Sequence, residues 1–174
     1  MKTKFNQSKL KLAIVSAMLV GTAGLSATSY AATAADNMAV STEVTISCTM
    51  TAGELQFATY DPSSGNPGLG TATITSNCTA GGAAVITLGQ GSLPGTTSTD
   101  AVPIRRLIGA GGNLNYDLYS DSARTILFGN TVATGKAFTA TSGDNIITVF
   151  GRIIEEQEVG AGSFADSVAV TLTY

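Results

Sequence analysis

The chain has 174 residues, of which 44% are hydrophobic and 12% charged, with 20 Gly, two Cys, no His, no Trp and a formal net charge of −3. The lack of histidine excludes Ser-His-Asp and Cys-His catalysis and the usual zinc ligand sets. Once the four lysines of the first eleven residues are set aside, five bases face twelve acids; so acidic a surface repels phosphate, and no nucleic acid is expected as a partner.

Those lysines, Lys2, Lys4, Lys9 and Lys11, precede a short apolar run, Leu12 to Val20, followed by small residues through Ala27. This is the layout of a signal peptide, residues 1–31, with a small-x-small cleavage signal at Ser29-Tyr30-Ala31. A permanent membrane helix needs about 20 apolar residues, and Gly21, Thr22, Gly24 and Ser26 dilute this run too early. Export with cleavage is therefore expected.

From Asn37 the pattern has period two: Met38, Val40, Val44, Ile46 and Cys48 alternate with Ala39, Ser41, Glu43, Thr45 and Ser47, which predicts a long strand. Further strands are predicted over 54–59, 71–78, 83–88, 104–108, 114–120, 126–128, 136–139, 146–154 and 164–174. Turn-forming clusters such as Asp61 to Gly68, Gly81-Gly82, Gly111-Gly112-Asn113 and Ser142 to Asn145 separate them. No helical period is sustained after residue 31. Many short strands at this spacing predict an all-β antiparallel sandwich. Its expected core is Leu55, Phe57, Ile74, Val85, Ile86, Leu114, Tyr116, Leu118, Phe128, Phe138, Ile147, Val149, Phe150 and the even-numbered face of the last strand.

An oxidising compartment lets two thiols pair and persist, so Cys48 and Cys78 are expected to form a disulfide. It closes a loop of about 30 residues, with a chain-entropy contribution of roughly 3 to 4 kcal/mol. Two buried free thiols are the alternative.

Both ends of the exported chain are strands without an obvious partner. Phe164, Val168, Val170, Leu172 and Tyr174 alternate with small and polar residues, and neither charge nor proline blunts the segment after Val168. Such an edge accepts a further strand. The N-terminal strand has the pattern to supply it from another copy: burying Met38, Val40, Val44 and Ile46 contributes roughly 6 to 12 kcal/mol. Ordering its residues costs a similar amount at about 1 to 2 kcal/mol each. Pairing of both ends inside one closed domain is the alternative that pattern alone leaves open.

The order of motifs resembles the spore coat U domain family and, within it, subunits of archaic chaperone-usher pili of the Csu type. The resemblance is carried by Cys48, Leu55 to Pro62, Ile74 and Cys78, Arg105-Arg106-Leu107, Leu114 to Asp121, Arg124-Thr125, Phe128-Gly129, Val149 to Ile153 and Gly162 to Tyr174. It implies an incomplete immunoglobulin-like antiparallel β-sandwich completed by donor-strand exchange. Residues 32–47 would be the donor strand and 48–174 the sandwich. Met38, Val40, Thr42, Val44 and Ile46 would be donor side chains, and Val168, Val170, Leu172 and Tyr174 one wall of the acceptor groove. The implied partners are other pilin subunits, a periplasmic chaperone and an outer-membrane usher, and the implied role is surface attachment and biofilm formation. The chain departs from the family with Phe128 where Trp is frequent, and with no Pro near Ile153-Ile154-Glu155.

A secreted, self-folding glycan-binding module, or a spore-coat-like protein, is the alternative function. Its candidate residues each have a plainer reading. Glu155, Glu156 and Glu158 offer carboxylates to a hard cation, but read better as a solvated turn. Arg105-Arg106 could grip an acid, but such pairs more often reach into solvent with their stems on apolar surface. Asp117, Asp121 and Arg124 lie around a turn, where the family resemblance implies structural bonding. Gly68-Leu69-Gly70 and Gly89-Gln90-Gly91 lack the strand-then-helix context of a nucleotide loop and read as turns. Tyr60, Tyr116 and Tyr119 read as core rather than as a sugar platform. No cofactor, metal or catalytic residue is expected.

Overall fold

The computed structural model describes residues 31–174, so all but the last residue of the expected signal peptide lies outside the described residues. The chain divides into two units, Met1–Ser41 and Thr42–Tyr174. In the first, residues 31–41 carry no regular secondary structure, and Met38 and Val40 are each 86% exposed.

The second unit is all β among the described residues. Its strands are β1 (Cys48–Ala52), β2 (Gln56–Phe57), β3 (Gly68–Cys78), β4 (Ala83–Leu88), β5 (Arg105–Gly109), β6 (Gly112–Tyr119), β7 (Lys136–Thr139), β8 (Asp144–Ile153), β9 (Phe164–Ala165) and β10 (Val170–Thr173). Every pairing is antiparallel. One sheet has seven strands in the order β1-β3-β8-β6-β5-β9, with β2 also on β3; the other has three, β10-β4-β7. The longest ladder, β3 on β8, runs from Gly68 opposite Ile153 to Asn77 opposite Asp144.

Alternation with period two sends Ile74, Leu114, Tyr116, Leu118, Ile147, Val149 and Ile153 of the large sheet inward, against Ile86 and Leu88 of the small one. Phe128 is fully buried. Two expected core residues face the other way: Val85 and Phe150 are only half-buried. The β4 and β8 alternation keeps the expected Ile86 and Val149 on the inner face and adds Leu88 and Ile153 to them.

Three predicted strands change form. The N-terminal strand expected from Asn37 begins only at Cys48, because a strand exists only where a ladder partner does. The 126–128 run makes a single bridge, Leu127 to Tyr119. The C-terminal run is split: β9 pairs with β5 in the large sheet, and β10 crosses to β4 in the small one. Gly68-Leu69-Gly70 is not a turn but the start of β3.

The expected disulfide is present. Cys48 and Cys78 face each other on one rung of the β1–β3 ladder with Cα atoms 4.1 Å apart.

Candidate functional site

A three-stranded sheet cannot cover the inner face of a seven-stranded one, and the uncovered part is a cavity of about 1010 Å³. Its floor is apolar: Ile74, Leu114, Tyr116, Leu118, Val149 and Ile153 from the large sheet, with Leu88 from the small one. One wall is the C-terminal segment, with Asp166, Val168 and Val170. The opposite lip is the stretch from Ala52 to Tyr60, and the 159–164 segment closes one end.

The wall is an unpaired edge. β10 pairs with β4 on one side, and no strand pairs with its other side among the described residues. Val168, Val170 and Leu172 pack on the core yet stay half-buried. Tyr174 is 55% exposed. A strand edge with free N–H and C=O groups beside an apolar trough meets the requirements for accepting one more strand.

The lip lies flat against the large sheet because two glycines face each other beneath it. Gly70 and Gly151 are paired on β3 and β8. A Cβ on Gly151 would lie 2.8 Å from Phe57 Cε1 and 3.0 Å from Leu55 Cδ2; one on Gly70 would lie 2.7 Å from the Gln56 carbonyl oxygen. With no side chain there, Leu55 and Phe57 drop into the core, and Phe57 meets the Tyr116 ring edge-on at 5.8 Å. The Tyr60 hydroxyl then donates to the Ile154 carbonyl at 3.0 Å and accepts from the Gln157 amide at 3.0 Å.

A polar clamp holds the crossover from β9 to β10. One Asp166 oxygen accepts from the Ser92 amide at 2.8 Å and hydroxyl at 2.5 Å, and from the Ser167 amide at 2.7 Å; the other accepts from the Tyr116 hydroxyl at 2.7 Å. Burial pushes the Asp166 carboxyl up, but these donors outweigh it and hold it below its ordinary 3.8. Burial and the bond to Asp166 push the Tyr116 phenol well above its ordinary value.

The arginine pair does not reach into solvent. Arg105 is fully buried: Nε donates to the Gly89 carbonyl at 2.7 Å, and Nη2 to the Leu88 and Phe128 carbonyls, each at 2.8 Å. Burial lowers its pKa from 12.5 to about 10, so it remains charged at neutral pH. Arg106 donates to the Leu93 and Pro94 carbonyls at 3.0 and 2.7 Å. Both therefore bind main chain, and Arg105 Nη1 is buried without a hydrogen-bond partner among the described residues.

The remaining candidates are structural. Glu155 pairs with Arg152 at 2.8 Å, and Glu156 occupies a turn with φ 59°. Asp121 accepts from the Thr125 and Ile126 amides at 3.0 and 2.7 Å. Arg124 donates to the Gly151 carbonyl at 3.2 Å and lies over the Phe150 ring. Among the described residues, no group of three or more His, Cys, Asp or Glu could hold a metal ion.

Of the expected donor residues, Met38, Val40 and Val44 are exposed, at 86%, 86% and 77%, Thr42 is exposed, and Ile46 is half-buried. Sequence reasoning missed the lip, the Asp166 clamp and the role of Arg105. The spacing of Gly70, Gly151 and Phe57 carries no local signal, because those residues meet only through the β3–β8 register.

These features define a class of protein: an all-antiparallel immunoglobulin-like β-sandwich whose smaller sheet ends, among the described residues, on an uncovered strand. The Spore Coat Protein U domain model matches residues 34–171, and the chain belongs to that family. Protein U of Myxococcus xanthus is 38% identical over 155 residues, spanning 83% of this chain and 87% of that protein. The fold also matches a chain in the crystal structure of the CsuC-CsuE chaperone-tip adhesion subunit pre-assembly complex, from archaic chaperone-usher Csu pili of Acinetobacter baumannii. The TM-score is 0.54 at 17% identity over 75% of this chain, which spans 40% of that chain.

Proposed function

We propose that this protein is a structural subunit of a secreted surface polymer of the archaic chaperone-usher pilus type, joined by donor-strand exchange. The single observation carrying this reading is the apolar trough of about 1010 Å³ beside the unpaired edge of β10. A donor must be extended, alternate apolar side chains every second residue, and be free to leave its own body. The N-terminal segment of a second copy offers the exposed apolar Met38, Val40 and Val44 at this spacing, with Thr42 as the one polar side chain in the series. Val168 and Val170, which line the trough, would form the receiving wall, continued beyond it by Leu172 and Tyr174. Until a donor arrives, the exposed trough calls for a periplasmic chaperone, and ordered assembly for an outer-membrane usher. Surface attachment and biofilm formation follow as roles of the finished fibre. Nothing in this chemistry requires catalysis.

The 38% identity to Protein U favours a second reading, a coat component of a cell or spore surface. Filaments in the electron microscope support the first reading; a sheet-like or amorphous coat supports the second.

The donor test is electrophoresis in SDS after mild heating. Strand-linked subunits separate slowly, so the parent runs as a ladder, whereas Val40→Asp combined with Val44→Asp is exported but runs as a monomer. A parent that always runs as a monomer overturns donor-strand joining.

A further inference from the structure

We propose that Ile46 is the anchor of the donor strand within its own subunit rather than a side chain delivered to a neighbour, so that the transferable segment ends at Val44. This rests on the donor-strand reading above and refines it.

Three observations converge. Burial alternation on the inner face of β1 begins before the strand itself: Ile46, Cys48 and Met50 are half-buried, while Thr45, Ser47 and Thr49 are exposed. Everything from Thr42 to Val44 is exposed. Ile46 thus continues the period of its own sandwich.

The second observation is Gly82, on the turn leading into β4. A Cβ placed there would collide with Cδ1 and Cγ1 of Ile46, so the isoleucine lies directly on the glycine backbone. The turn is itself fixed to the sandwich: the Gly81 amide donates to the Ala140 carbonyl, and the Ala140 amide to the Gly82 carbonyl, each at 2.8 Å.

The third is the backbone around Ile46. The Thr79 amide donates to the Ser47 carbonyl at 2.9 Å, the Ser47 amide donates to the Thr79 hydroxyl at 3.1 Å, and that hydroxyl donates to the Thr45 carbonyl at 3.4 Å. Immediately behind them stands the Cys48–Cys78 disulfide. A segment whose neighbours are bonded to Thr79 on both sides cannot also lie in another subunit's groove. The free arm therefore leaves at Thr45, and tension on it meets this clamp before it meets the β1–β3 ladder.

Cross-linking within the polymer tests the assignment. Ile46 Cδ1 occupies the place of a Gly82 Cβ, which puts a cysteine pair within bridging reach. The full chain carrying Ile46→Cys with Gly82→Cys should form the bridge within one chain, mapped by peptide mass spectrometry and leaving a monomer after boiling. Val44→Cys with Val168→Cys, Val170→Cys or Leu172→Cys should give boiling-resistant ladders in at least one pairing. Ile46→Cys with the same wall cysteines should give none. Ladders from that last set, or no bridge between positions 46 and 82, overturn the anchor. A 46–82 bridge with no Val44 ladder sinks the donor reading and leaves the anchor standing.

If the double-cysteine chain fails to accumulate, amide exchange replaces it. The Thr79 amide should be protected in the parent, lose protection in Gly82→Ala, and regain it when Ile46→Ala is added. An unprotected Thr79 amide in the parent overturns the anchor.

Discussion

Two charged side chains near the open groove hold main chain in place. Arg105 sits fully buried among the Gly89, Leu88 and Phe128 carbonyls, where a planar guanidinium reaches several acceptors at once and an ammonium does not. Asp166 acts at the other side of Tyr116, joining Ser92 to the β9–β10 crossover. Because its folded carboxyl lies below 3.8, the folded state holds that proton less tightly than the unfolded chain does. The stabilisation is fully present above the unfolded value and is lost as the pH falls through the lower folded value. An acid titration followed by circular dichroism should show Asp166→Asn less stable than the parent at neutral pH, with the two curves converging as the pH falls through the lowered folded value of the carboxyl. A constant gap down to the lowest pH would contradict the role given to the carboxylate.

At the level of elements, the alternation of apolar residues located most strands because the pleat imposes period two wherever one face is buried. The same rule could not tell that the 164–174 run changes sheets, since both halves bury even-numbered residues. Nor could it identify the lip. The short β2 stays on β3 because Gly70 and Gly151 leave room for Leu55 and Phe57. Gly151→Val should displace Phe57, costing about 1 to 3 kcal/mol as overpacking does. It should also weaken capture of a peptide spanning residues 32–44, measured by the fraction of chain shifted to the complemented form on a gel. Undiminished capture would show that the lip does not shape the groove.

Across the whole molecule, the disulfide compensates for a core left open. The Cys48–Cys78 bridge spans 30 residues of sequence, a loop whose closure contributes roughly 3 to 4 kcal/mol. A chain with both Cys48→Ser and Cys78→Ser should lose that amount in denaturant unfolding of the complemented protein and accumulate poorly without a donor. Equal unfolding midpoints with and without the bridge would refute this.

Sequence by itself determined the all-β class, the cysteine pair, the apolar floor and the two alternating ends, because period two, composition and turn chemistry are local properties of the chain. It also carried the family resemblance, through the order and spacing of its motifs. Only the tertiary structure decided that β10 has an unpaired edge, that Arg105 lies inside, that paired glycines admit the lip, and that Ile46 rests on Gly82. Each of those depends on which strands become neighbours, and strand pairing joins residues far apart in sequence through contacts that no local pattern encodes.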